Sequence, residues 1–216
     1  MSKFASEFHD VGECALPKFT GLRVMMMPFH IGHPSSLPCA LDGYKPVVER
    51  LYDLWPKHGG DVGYLTVDER RVPAGHAHRR PGLHVDGVYG NSVGSWAPSP
   101  PGPWGSQTGG MLTVASNVGC RAWRGSFNGE IGADGDCGQL SSQLGEATEF
   151  KANRVYWVGG FCIHESIPLA VETERQFVRV SMPSEAPWFD GYTRNPLGVE
   201  STGPILSFRN QMDYAK

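Results

Sequence analysis

The sequence predicts a mostly β fold, a sandwich or jelly roll, with a few buttressing helices that are mainly N-terminal. Two observations carry this. Glycine (28) and proline (17) make up about a fifth of the 216 residues, which suits many short strands joined by turns better than a helical bundle. From residue 62 onward, runs rich in Val, Tyr, Phe and Trp recur, each bounded by Gly, Pro or Asn. With 40% hydrophobic and 11% aromatic residues, the chain can bury one sizeable core. We expect a single domain over 1–216: a strand-and-helix support over 1–60, a β core over about 61–183, and a C-terminal extension over 184–216.

The elements follow in order. "TGLRVMMMPF" (20–29) predicts a strand whose methionines fill core space. "YKPVVERLYDLW" (44–55) predicts a helix, because Tyr44, Val47, Val48, Leu51 and Trp55 recur on one face. Asp42 is placed to cap it and Pro56 to stop it. Strands are then predicted over 61–70, 82–90, 110–118, 153–164 and 175–183. "WAPSPPGPWG" (96–105) is too rich in proline for a central strand and reads equally as a lid over a site or a surface insertion. "FNGEIGADGDCGQ" (127–139) lacks the full spacing of a calcium-binding loop and reads as a turn.

The net charge of −3 gives no strong pull toward nucleic acid or an anionic membrane. The basic pairs Arg70-Arg71 and Arg79-Arg80 read as solvated surface. No apolar run is long enough for a membrane helix, and the first residues lack the apolar stretch of a signal peptide, so a cytoplasmic protein is expected. Five cysteines with no Cys-x-x-Cys pair argue against a disulfide framework or a structural zinc site. The composition leaves the oligomeric state open.

One constellation carries chemistry. "HRRPGLHVDG" contains His84, one residue, then Asp86. Such a triplet is expected about 0.4 times by chance in a chain with this many His and Asp, so it decides little alone. On a strand, positions two apart share a face, so both side chains can meet one metal ion. Non-haem iron sites use two histidines and one carboxylate and leave three positions open. The third ligand should come from a distant strand, and His164, ending "VYWVGGFCIH", fits. Taken by itself, His164 also reads as a hydrogen-bonded core histidine. Beyond it, Arg175, Phe177, Arg179 and Ser181 alternate with Gln176, Val178 and Val180, which places both arginines on one side. An interior arginine calls for an anion, and a guanidinium matches a carboxylate bidentately. Two arginines on a solvent face are the alternative.

The pattern His84-x-Asp86 … His164 … Arg175 resembles the Fe(II)/2-oxoglutarate-dependent dioxygenases over roughly residues 62–183. "RPGLHVDG" and "GGFCIHES" are similar to the family's two metal-bearing segments. The resemblance implies a double-stranded β-helix, that is, a jelly roll or cupin-like barrel. It also implies Fe(II) held by His84, Asp86 and His164, with 2-oxoglutarate as cosubstrate, O2 as oxidant, and succinate and CO2 as coproducts. Arg175 and Arg179 stand 11 and 15 residues past His164. That spacing resembles the pair used in taurine-dioxygenase-like members, the first for 2-oxoglutarate and the second for an anionic substrate. Arg179-Val180-Ser181 is similar to the Arg-x-Ser signature of plant-type members. Arg175 is therefore the first choice for the cosubstrate clamp. Arg179 and Ser181 are the second choice, or substrate contacts.

Other candidates stand beside these. Tyr89, Trp96, Trp104 and Trp123 read either as an aromatic substrate wall or as core. Cys162 shares strand parity with His164 and reads as a buried spectator thiol. His76 and His78 would suit a cupin metal site, but no Glu follows at the required distance, so they read as supporting or surface histidines. The expected activity is oxidation of an unactivated C–H in a small polar or anionic molecule. The alternatives are a cupin-like metal enzyme that uses no 2-oxoglutarate, and a metal-free jelly-roll binding module.

Overall fold

The structure, a computed structural model, describes residues 3–54, 59–89, 92–93, 110–132, 135–181, 188–203 and 205–206, without the side chains of 88–89, 92–93 and 206. In chain order the strands are β1 (Lys3–Ser6), β2 (Phe8–Glu13), β3 (Arg23–His30), β4 (Val62–Val72), β5 (Val88–Tyr89), β6 (Ser92–Val93), β7 (Gly110–Ala115), β8 (Cys120–Trp123), β9 (Gly125–Asn128), β10 (Thr148–Glu149), β11 (Arg154–Gly159), β12 (Ile163–Ser166), β13 (Thr173–Ser181), β14 (Trp188–Phe189) and β15 (Ile205–Leu206). Among the described residues one α-helix, α1 (Lys45–Leu54), lies between β3 and β4. Six strands form a sheet in the order β2-β11-β7-β13-β4-β3, and three form a second in the order β10-β8-β12. Both are antiparallel. The fold is thus mostly β, as expected. Among the described residues the sheets stay separate and do not close into one barrel.

The large sheet has two unlike faces, and strand alternation sets both. On one, Leu65 and Val67 of β4 and Val178 and Val180 of β13 are buried with Leu112, Val114 and Trp157. Helix α1 covers this face with Val47, Val48 and Leu51, preceded by Tyr44. Removing these apolar surfaces from water is the main stabilisation of the sheet–helix contact. Gln176 and Glu69 share that face and are hydrogen-bonded there. Gln176 Nε2 donates to the Tyr44 hydroxyl and to Glu69 Oε1, at 2.8 and 2.9 Å. The other face carries Asp68 and Arg70 of β4 and Arg175, Phe177 and Arg179 of β13, in register as Arg175↔Arg70, Phe177↔Asp68 and Arg179↔Thr66. This is the face that builds the site.

Several sequence expectations need correction. The helix is entered through a 3-10 turn (Cys39–Tyr44), so Asp42 lies inside that turn and pairs with Lys45 Nζ at 2.7 Å instead of capping. Trp55 and Pro56 fall outside the described residues. The strand predicted over 82–90 is only single bridges at His84 followed by β5. Pro81 supplies no N–H, and Gly82 sits at φ 78°, which no extended strand allows. The strand predicted over 153–164 is two strands. β11 ends at Gly159, a turn closes with Cys162 N–H donating to Gly159 O at 3.0 Å, and β12 then joins the other sheet. Strands β1, β2, β8 and β9 have no counterpart among the predicted elements. Their pairing is tertiary, as where Arg154 of β11 grips Asp10 and Glu13 of β2 at 2.6 and 2.7 Å. No helix among the described residues is long and apolar enough to cross a membrane.

Candidate metal centre

The break after Gly159 delivers His164 to the small sheet, where it faces the 84–86 segment. His84 and His164 exchange backbone hydrogen bonds, each N–H donating to the other's carbonyl at 3.0 Å. Their rings lie with centroids 4.4 Å apart. Asp86 follows two residues on, its Oδ2 3.8 Å from His164 Nε2. One ligand atom from each of His84, Asp86 and His164 falls within 4.8 Å of the others. The three side chains are placed so that they could hold one metal ion.

The ring tautomers support this. His84 Nδ1 lies 2.7 Å from Gly82 O, and His164 Nδ1 lies 2.9 Å from Cys162 O. A carbonyl only accepts, so each Nδ1 carries a proton, and Nε2 is the ring nitrogen left to face a metal. Burial, and then the neighbouring His164 ring, push the His84 imidazole down to about 3 against the pull of Asp86. His84 is thus held in the neutral form that a metal requires. Burial raises the Asp86 carboxyl, but His164, Arg179 and His84 together outweigh it and hold the group ionised. The donor set, two imidazoles and one carboxylate, fits a divalent transition metal and suits iron with open positions.

The 127–139 segment does more than turn. Val85 N–H donates to Gly135 O, and Cys137 N–H donates to Leu83 O, both at 2.9 Å, so this loop brackets the ligand segment. Gly135 has φ 80°, and a Cβ there would meet Val85 O at 2.0 Å. Only glycine permits that approach.

A cavity opens between the two sheets. Its walls include Asp86, His164, Arg175, Phe177, Asn117 and Tyr156. Arg175 is 2% exposed and makes no ion pair with a carboxylate among the described residues. Its Nε donates to Asn117 O at 3.3 Å and its Nη1 to His78 Nδ1 at 2.8 Å. Gly119 lies flat beneath it, since a Cβ there would fall 2.8–3.0 Å from Nε, Cζ and Nη2. Burial lowers the Arg175 guanidinium to about 10, so it stays charged at neutral pH.

The remaining sequence candidates are placed as follows. Arg179 donates from Nη1 to Asp86 Oδ2 at 3.0 Å and from Nη2 to Met26 Sδ at 3.3 Å, and its Nε is buried without a partner among the described residues. It holds the ligand carboxylate and does not line the cavity. Ser181 is fully buried opposite Tyr64 and Met111, and its Oγ has no partner among the described residues. Trp123 is buried among Val85, Phe127, Leu140 and Ile163, and its Nε1 donates to Gly145 O at 3.2 Å. It does not reach the cavity wall. Tyr89 lies in β5, and its side chain is outside the described residues, as are Trp96 and Trp104 altogether. Cys162 is fully buried with its thiol raised by burial, and it stands outside the ligand set. His76 is exposed, while His78 is buried behind Arg175.

The two basic pairs are not uniformly solvated. Arg70 grips Asp68 bidentately at 2.8 and 2.8 Å, and Arg79 reaches the same carboxylate at 2.8 Å. Arg23 lies 3.4 Å away and His78 Nε2 3.5 Å away. Only Arg71 of the described members keeps to the exterior, paired with Glu174. Sequence reading missed Asp68 because its partners come from β3, β4 and the 76–80 segment. Burial raises the Asp68 carboxyl, but His78, Arg70 and Arg79 together hold it well below the ordinary range. A carboxylate with a depressed folded value stabilises above its unfolded value, near 3.9, and that stabilisation fades as pH falls toward the folded value. Asp68→Asn is therefore expected to cost about 2 kcal/mol at pH 7, because it removes charge-assisted hydrogen bonds from the half-buried Arg70 and Arg79. Urea unfolding should show the gap from wild type constant above about pH 5 and narrowing below it.

The chain matches no protein-family model. It matches no curated protein. Among solved structures it resembles the apo structure of ThoJ, described as a non-heme monooxygenase, at 17% identity and a TM-score of 0.40. That likeness covers 76% of this chain, which spans 62% of the other's length.

Proposed function

We propose that the protein is an Fe(II)- and 2-oxoglutarate-dependent dioxygenase that oxidises an unactivated C–H of a small polar or anionic molecule. One observation carries the reading: Asp86 and His164 of a two-histidine, one-carboxylate group line the same cavity as a buried guanidinium that pairs with no carboxylate among the described residues. The two facing sheets agree with an open form of the jelly roll that such enzymes resemble. His84 Nε2, Asp86 and His164 Nε2 would hold the iron. When bound, Fe(II) with 2-oxoglutarate supplies O2 activation, with succinate and CO2 as coproducts.

The chain's own residues do the rest. Gly82 O and Cys162 O fix both imidazoles with the lone pair inward. Arg179 fixes the Asp86 carboxylate. Arg175 would receive the distal carboxylate of 2-oxoglutarate, because its Nη2 has no protein partner among the described residues and a buried cation gains most from a charge-assisted pair. Apolar walls at Phe177, Met111 and Val158 exclude water from the cavity.

The test is anaerobic. Fe(II) and then 2-oxoglutarate are added to purified apoprotein, and the weak visible charge-transfer band of an iron–2-oxoglutarate chelate is followed. Saturable growth of the band is the expected result. Iron-loaded, folded protein that develops no band would overturn the cosubstrate and favour a cupin-like metal enzyme. Failure to bind iron would leave a metal-free binding module.

A further inference from the structure

The histidine behind the cavity is of the opposite tautomer to the two ligand histidines, and the reason lies in Arg175. Arginine has no acceptor atoms, so in the 2.8 Å contact between Arg175 Nη1 and His78 Nδ1 the guanidinium donates and the imidazole accepts. His78 Nδ1 must then be unprotonated, and the ring proton sits on Nε2. That atom has no hydrogen-bond partner among the described residues and stands 3.5 Å from Asp68 Oδ2. The His78 side chain is 0% exposed and Asp68 1% exposed. Asp68 is itself locked by Arg70 and Arg79. A line of fixed groups therefore runs from Asp68 through His78 to Arg175.

We propose that His78, oriented by Asp68, is the positioning residue that aims the Arg175 guanidinium into the cavity. The inference rests on the cosubstrate reading above. Its physical content is that, among the described residues, Arg175 meets three restraints: Asn117 O on Nε, the close face of Gly119, and His78 on Nη1. The last is the side-chain hydrogen bond made to a terminal nitrogen of the rigid guanidinium plane. A protonated His78 would turn an N–H toward an N–H and lose the contact. The charged groups facing His78 are Asp68, which favours its protonation, and Arg175 and Arg79, which oppose it along with burial. The neutral Nε2–H ring is the state this surround selects.

The experiment has two arms. In the first, 2-oxoglutarate is titrated into Fe(II)-loaded wild type, His78→Phe and His78→Asn. Phenylalanine keeps the ring and removes the acceptor. Asparagine places an amide oxygen near Nδ1 and restores it. We expect the 2-oxoglutarate Kd to rise about tenfold or more in His78→Phe, in line with loss of one hydrogen bond to a charged group. In His78→Asn it should return to within about threefold of wild type, with Fe(II) affinity unchanged in both. The second arm needs neither activity nor a variant: long-range 1H–15N spectra of the apoprotein should show His78 as Nε2–H, and His84 and His164 as Nδ1–H. Wild-type affinity in a folded His78→Phe would overturn the inference while the cosubstrate reading stands. So would an Nδ1–H or doubly protonated His78. Absence of the chelate band in wild type would overturn the cosubstrate reading, and with it this one.

Discussion

His84→Ala weakens Fe(II) binding more than about 100-fold, the largest effect expected of any single replacement here. Loss of a mere supporting contact around a metal ligand already costs about 10–100-fold, and His84 supplies a ligand atom itself. The effect should be local. The backbone bridge between residues 84 and 164 does not use the imidazole, and Val85 and Leu83 remain tied to the 132–137 loop. Circular dichroism should therefore match wild type, while calorimetric titration with Fe(II) under anaerobic conditions loses its heat. Binding within threefold of wild type would remove His84 from the ligand set and leave Asp86 and His164 too few to hold iron.

Arg175→Met is expected to leave iron binding intact and to raise the 2-oxoglutarate Kd about 100-fold or more. Truncating one partner of a buried charge pair costs roughly 2–5 kcal/mol, and each 1.4 kcal/mol is tenfold. Methionine keeps the apolar stem in place and removes only the guanidinium. Gly119→Ala tests the same cradle from beneath. A Cβ would sit 2.8 Å from Arg175 Nε and 3.0 Å from Cζ and Nη2, so the guanidinium has to shift. Its Kd for 2-oxoglutarate should rise by about tenfold, in line with the loss of well-aimed hydrogen bonds to a charged group. Both are read from the chelate band. Unchanged affinity in Arg175→Met would place the distal carboxylate elsewhere in the cavity.

The sequence by itself determined the period-two strands and the one amphipathic helix, because alternation and 3.6-residue spacing are local. Val178 and Val180 face the helix while Arg175 and Arg179 face the site, as their parity requires. It also made the grouping of His84, Asp86 and His164 legible: His84 and Asp86 are two residues apart, and His164 follows the apolar run 153–163. Three things were decided only by the tertiary structure. The 82–90 and 153–164 runs look like continuous strands, yet Gly82 and the Gly159-Gly160 turn break them, and the break moves His164 from one sheet to the other. The two arginines look equivalent on β13. Their partners come from other segments: Asp86 takes Arg179, and His78 takes Arg175, leaving Arg175 as the guanidinium open to an anion. One member of each basic pair that looks solvated, Arg70 and Arg79, converges on Asp68, 11 residues before Arg79 and brought close to it by the path of the intervening segment. Local periodicity tells which face a side chain takes; which charge it meets there depends on contacts between residues far apart in the chain.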